Sequence, residues 1–234
     1  MKYFTGSQKK RRLLKAELVI AVCDHLQLSH VVLAGHSMGA YVASVCAVQH
    51  ASRISAVVLV DGGLPLTVPE DKGPDQIIED IVGPAVARLG MTWESREVYH
   101  AFWKNHPAFG RPEDWTAHVE AYVDYDMVPQ LIPVKSRVSE TAVRFDGAEL
   151  ITRRDLSAAS SQCTQPLWLL RAPRGILDDP NSPLIPEREA LEFVKANPRI
   201  QLVEVPDVNH YTILMGRKGG AAVADAIGAA VGCL

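Results

Sequence analysis

Apolar and polar positions follow two rhythms along this chain. "HVVLAG" (residues 30–35) is a largely apolar run with β-branched residues, ended by Gly35, and predicts a strand buried on both faces. "RISAVVLVDGG" (53–63) predicts a second buried strand, stopped by Gly62 and Gly63. "PLWLLRA" (166–172) and "IQLVEVPDV" (200–208) predict two more. Between and around them the period changes to that of a helix. "AELVIAVCDHLQL" (16–28) sets Leu18, Ala21, Val22 and Leu26 at helical spacing, and "MGAYVASVCAVQH" (38–50) and "IPEREALEFVKANP" (185–198) read as helices too. The tail from Thr212 to Val231 is Ala-rich and helical, weakened at its start by Gly216, Gly219 and Gly220. Strand and helix alternating in this way predict parallel pairing with helices on both faces, an α/β sheet.

The alternation is interrupted once, from about residue 64 to 164, where no buried-strand run occurs. Segments there have amphipathic helical spacing: "DQIIEDIV" (75–82), "SREVYHAFWKNH" (95–106) with Tyr99, Phe102 and Trp103 on one face, and "PEDWTAHVEAYV" (112–123) with Trp115, Val119 and Tyr122 on one face. Pro112 is expected in the first turn of that last helix. The expected organisation is a core in two parts, 1–63 and 165–234, with residues 64–164 inserted as a helical cap. The cap's aromatic residues can serve as its own core, or line an apolar substrate cavity beneath a lid.

Composition changes this picture little. The chain has 234 residues, enough for a sizeable core, and 47% of them are hydrophobic. A net charge of −3 gives no argument for nucleic acid, and "KKRRLLK" (Lys9 to Lys15) reads as a solvated helix end. No window is long and apolar enough for a membrane span. "AELVIAV" carries Glu17, is too short for a signal-peptide core and has no small-residue cleavage site after it, so it reads as folded helix. Cys23, Cys46, Cys163 and Cys233 lack C-x-x-C spacing and read as free thiols in a reducing cytoplasm. No residue pattern calls for a metal or an organic cofactor.

The chemistry is concentrated in "GHSMG", residues 35–39, which matches G-x-S-x-G between a predicted strand and a predicted helix. On such a nucleophile elbow Ser37 takes a strained backbone conformation so that its Oγ stands clear of the sheet. Gly35 and Gly39, having no Cβ, are expected to let strand and helix approach the turn. The following helix points its N-terminus at the site, and the Met38 N–H can donate to a developing oxyanion. A serine hydroxyl needs a base. Of eight histidines, His36 is expected to point away from the serine, and His25, His30, His50, His100, His106 and His118 read as surface or packing residues. His210 in "VEVPDVNHYTI" follows the last predicted strand, at the same sheet edge as Ser37, and is the expected base.

These residues resemble the α/β-hydrolase superfamily, in its lipase- and esterase-like branch with a helical cap. The resemblance rests on "GHSMG", "AVVLVDGG", the cap insert, "PLWLLRAP" and "PDVNHY", and extends over nearly the whole chain. It implies attack by Ser37 on an ester carbonyl of a small apolar substrate, His210 as base and then acid, and an acyl-enzyme hydrolysed by water. Thioesterase, carbon–carbon hydrolase and cofactor-free haloperoxidase chemistry share the scaffold, as do silent binding proteins. The family's acid usually lies a few residues past the strand read here as "PLWLLRA". Gly175 falls at that point, so Asp178 in "GILDDPNSP" is the expected acid, with Asp179 beside it and Asp61 as the competitor. In the family, strands and a loop supplying a second oxyanion donor come before the nucleophile strand. Only a Lys/Arg-rich helix does so here, which leaves Met38 as the single visible donor. The expectation is a shortened form of a longer hydrolase, from a misplaced start codon or a gene remnant, with impaired catalysis as the alternative to full activity.

Overall fold

In the computed structural model four parallel strands lie side by side in chain order: β1 (Val31–His36), β2 (Ile54–Val60), β3 (Leu167–Arg171) and β4 (Ile200–Glu204). The structure describes residues 5–66, 71–128 and 132–232, with side chains from residue 15 onward. Parallel neighbours need crossovers. α1 (Thr5–His25) precedes β1, and α2 (Met38–Gln49) carries the chain from β1 to β2. The insert supplies α3 (Pro74–Leu89), α4 (Arg96–Lys104), α5 (Ala117–Asp126), α6 (Glu140–Thr152) and the short α7 (Arg154–Ser157) between β2 and β3. α8 (Glu187–Ala196) links β3 to β4, and α9 (Thr212–Met215) and α10 (Arg217–Val231) end the described chain.

The two-residue period of the strands divides the core between the two faces of the sheet. Val57, Leu59, Leu167 and Leu169 pack with Ala16 and Ile20 of α1, Ala43 and Ala47 of α2 and Phe193 of α8. Val58, Val60, Trp168 and Leu170 pack on the other face with Ile213, Val223, Ala226 and Ala230. Each large aliphatic chain so buried contributes roughly 1.5–3 kcal/mol. A third cluster lies in the insert, where Trp93, Tyr99, Trp103, Phe109, Val119 and Val123 are buried together.

Three local expectations are corrected. β1 is not buried on both faces: it is an edge strand hydrogen-bonded to β2, and its residues are half-buried apart from exposed Ala34. On α1 the buried face is Ala16, Ile20 and Cys23, while Leu18, Val22 and Leu26 are exposed. Both stripes are apolar, and the one that packs with the alanines of α2 carries Ala16 and Ile20. Pro112 starts a separate 3₁₀ turn (Pro112–Asp114), and α5 begins only at Ala117, where Thr116 Oγ1 accepts from the Val119 N–H. Cys23, Cys46 and Cys163 are free and buried; Cys233 and the side chains of Lys9 to Leu14 lie outside the described residues. No described helix is long and apolar enough to cross a membrane.

Candidate active site

Ser37 sits between the end of β1 and the start of α2 with φ 54° and ψ −122°. A non-glycine residue held there carries backbone strain that its surroundings must over-determine. They do so through close packing. The Ser37 N–H donates to the Val60 carbonyl at 2.9 Å, tying the turn to β2. A Cβ on Gly35 would lie 2.2 Å from the Gly39 carbonyl oxygen, and one on Gly62 would lie 2.4 Å from that of Ser37. Gly35 is therefore required by the approach of strand to helix, as expected. Gly39 is not, since a Cβ there would meet nothing within 4 Å. Met38 opens α2, so its N–H belongs to the helix-start donors that have no intrahelical acceptor and lies at the positive end of the helix dipole.

β2 ends one residue before Asp61, which is fully buried and also at positive φ, 43°. Its Oδ1 accepts from the Ala172 N–H at 3.1 Å, and its Oδ2 lies 2.7 Å from Nδ1 of His210. A carboxylate at that distance accepts a hydrogen bond from Nδ1–H, which leaves Nε2 of a neutral His210 unprotonated and free to take a proton. His210 lies in the loop after β4 and is itself buried. Ser37, Asp61 and His210 all follow strand ends at the carboxyl edge of the sheet, where α/β folds bind ligands.

Asp178, the acid expected from the sequence, does not pair with His210. Its Oδ1 accepts from Arg174 Nε at 2.6 Å and from Asn209 Nδ2 at 2.9 Å. Asp179 is engaged in its own turn, accepting from the Asn181 N–H at 2.8 Å. Gly175, where the family pattern calls for an aspartate, has no room for a side chain: a Cβ would lie 1.9 Å from the Ser182 carbonyl oxygen. The loop after β3 therefore folds around Gly175 and delivers its carboxylate to Asn209, next to the histidine. Asn209 is fully buried and also donates to the Ala108 carbonyl at 2.8 Å, while its Oδ1 accepts from the N–H groups of Tyr211 and Thr212. Sequence reasoning missed Asn209. The signal available was a polar residue directly before the expected base.

His36 was also given no role by the sequence. Its ring lies against that of His210, with centroids 4.5 Å apart, and its Nε2 is 2.8 Å from the His210 carbonyl oxygen. A carbonyl only accepts, so Nε2 carries the proton. Burial, and next the neighbouring His210, lower the His36 pKa to about 4, so it is neutral near pH 7.

The insert reaches this site through the segment that follows His210. Tyr211 and Met215 pack against its aromatic cluster, and Thr116 Oγ1 donates to the Met215 carbonyl at 3.1 Å. Beside the Ser37 turn, a cavity of about 620 Å³ is lined by Met38, Tyr41, Val42 and Val45 of α2, Leu18 of α1, and Phe145 and Leu150 of α6. Burial holds the Tyr41 phenol well above its usual pKa range, so Tyr41 adds no charge to this wall. Among the described residues, no three His, Cys, Asp or Glu side chains converge as a metal site.

A parallel sheet flanked by helices, with a serine on a strained turn from strand to helix, defines an α/β-hydrolase architecture. The chain belongs to the alpha/beta hydrolase family, whose model matches residues 11–226. Among solved structures it is similar to E-2-(acetamidomethylene)succinate hydrolase, with a TM-score of 0.69 and 18% identity over 92% of this chain and 72% of that one. A carboxylesterase of the thaumarchaeon Nitrososphaera gargenis gives 0.60 and 13%, over 94% and 72%. A thermophilic esterase from Thermogutta terrifontis gives 0.54 and 21%, over 92% and 71%. At these identities the likeness is one of fold. Comparison with curated protein sequences finds no match.

Proposed function

We propose that this chain is a serine hydrolase that cleaves carboxylic esters through an acyl-enzyme on Ser37, with His210 as general base and Asp61, in place of Asp178, as the acid. The observation that carries this reading is the buried 2.7 Å contact between Asp61 and His210, at the same sheet edge as a serine at φ 54°. Asp61 holds Nδ1–H, so Nε2 faces the reaction as a base. In the first half-reaction Ser37 Oγ bonds to the ester carbonyl carbon while its proton passes to His210 Nε2. Collapse of the tetrahedral adduct breaks the C–O bond, and the alcohol leaves with that proton. In the second half-reaction His210 takes a proton from water, whose oxygen attacks the acyl carbon; the bond to Ser37 Oγ then breaks, His210 returns the proton to that oxygen, and the carboxylic acid leaves. The Met38 N–H is the assigned donor to the oxyanion in both steps.

The largely apolar cavity beside Met38, which Lys15, Asp146 and Glu149 also line, supports a small substrate with an apolar acyl or alcohol portion. Residues 64–164 act in this reading as the lid over it, anchored to the His210 loop through Tyr211 and Met215. Hydrolysis of p-nitrophenyl butyrate tests the proposal. Wild-type protein is expected to turn it over, and Ser37→Ala to lose roughly 10⁴-fold or more of the rate. Equal rates for the two proteins would refute it.

A further inference from the structure

His36 holds His210 at two points, one on its main chain and one on its ring. The residue is the last of β1 and directly precedes Ser37, so its position is fixed by the strand that sets the serine. From there its Nε2–H donates to the His210 carbonyl at 2.8 Å, and its ring lies at 4.5 Å and 32° to the His210 imidazole. Asp61 restrains the same imidazole at Nδ1, and the Tyr211 ring lies edge-on to it at 5.8 Å. With Asp61 at one edge and His36 against the face, the remaining freedom of the ring is small. Few other side chains could do both jobs: phenylalanine would stack without donating, and glutamine would donate without stacking.

We propose that His36 is a positioning residue for His210, using its Nε2–H and its ring to keep the imidazole with Nδ1 on Asp61 and Nε2 open. The inference rests on the reading of His210 as the base. His36 faces two titratable groups, His210 and Asp61. Staying neutral, it lets His210 take up a proton without a second cation against its ring.

The test combines His36→Phe, which keeps an aromatic ring, with His36→Gln, which keeps an amide N–H near the place of Nε2. Two quantities are read for each: the rate of covalent labelling by a fluorophosphonate, and the ¹⁵N chemical shifts of the His210 ring, which report its tautomer. His36→Phe is expected to slow labelling roughly ten- to hundredfold and to move His210 from pure Nδ1–H to a mixture of tautomers. His36→Gln is expected to recover most of the rate and the Nδ1–H tautomer. The proposal is overturned if His36→Phe labels at the wild-type rate with an unchanged tautomer, or if His36→Gln is as impaired as His36→Phe. Should wild-type protein fail to label, the esterase reading fails by itself, and the His210 tautomer still decides the role of His36. Should His36→Phe not fold, His36→Leu, which neither donates nor stacks, takes its place beside His36→Gln with the same two readouts and the same expected results.

Discussion

Asp61 and His210 are 149 positions apart in the chain, yet Oδ2 of one lies 2.7 Å from Nδ1 of the other in the interior of the protein. Asp178 is nearer in sequence and belongs to Arg174 and Asn209 instead. Asp61→Asn is therefore expected to lower the rate on p-nitrophenyl butyrate by roughly 10³–10⁴-fold, because the amide can no longer fix the tautomer or stabilise the imidazolium. Asp178→Asn should cost less than about tenfold, since it perturbs a neighbour of the base and not the base. Side-by-side kinetics decide the matter. The reverse ranking would return the acid to the loop after β3.

The Asp178 carboxylate still matters for stability. It joins Arg174 to Asn209, and Arg174 Nη2 donates onward to the Asp207 carbonyl at 2.8 Å, so one side chain links the loops after β3 and β4. Asp178→Ala leaves the buried Asn209 amide short of an acceptor, at a cost of about 1–3 kcal/mol. Urea unfolding should show a lower midpoint with the slope unchanged.

His36 gives a pH-dependent stability whose sign follows from its depressed pKa. Above pH 6.5 the residue is neutral whether the chain is folded or unfolded. As the pH falls from 6.5 towards 4, the unfolded chain binds a proton that the folded one refuses, so stability declines over that window and levels off below it. The loss is at most about 3 kcal/mol. His36→Gln should lack this component, and the difference between the two urea-unfolding curves at pH 7 and pH 4.5 measures it. Parallel pH dependences for both proteins would contradict the assignment.

The glycines of the turn separate cleanly. Gly35→Ala and Gly62→Ala push a Cβ into backbone atoms at 2.2 and 2.4 Å and should each cost several kcal/mol or prevent folding. Gly39→Ala enters open space inside α2 and should leave stability unchanged or raise it by about 0.5–1 kcal/mol. Thermal unfolding of the three variants checks the contrast. Equal destabilisation by all three would mean that the turn is packed differently.

Much of this arrangement was legible in the sequence. Four apolar runs gave four strands, and a serine between strand and helix gave the turn, because apolar period and glycine placement are local properties of the chain. The partner of His210 was not local. The family pattern pointed past "PLWLLRA", where Gly175 lies against Ser182 and an aspartate cannot fit. The sign that favoured Asp61 was physical: an ionisable residue ending a fully buried strand must find a partner or a proton. The outward turn of Leu18, Val22 and Leu26 was equally hidden, since hydrophobic spacing shows that a helix has apolar stripes without showing which one meets a neighbour.

The central claim is that Ser37 is the nucleophile served by His210 and Asp61. The most direct test is to treat the 234-residue chain with a fluorophosphonate and map the adduct by peptide mass spectrometry, beside Ser37→Ala, His210→Ala and Asp61→Asn. The account predicts one adduct, on Ser37, absent from Ser37→Ala and formed far more slowly in the other two. An adduct on another residue, or labelling of Ser37 at the wild-type rate in His210→Ala, would contradict it.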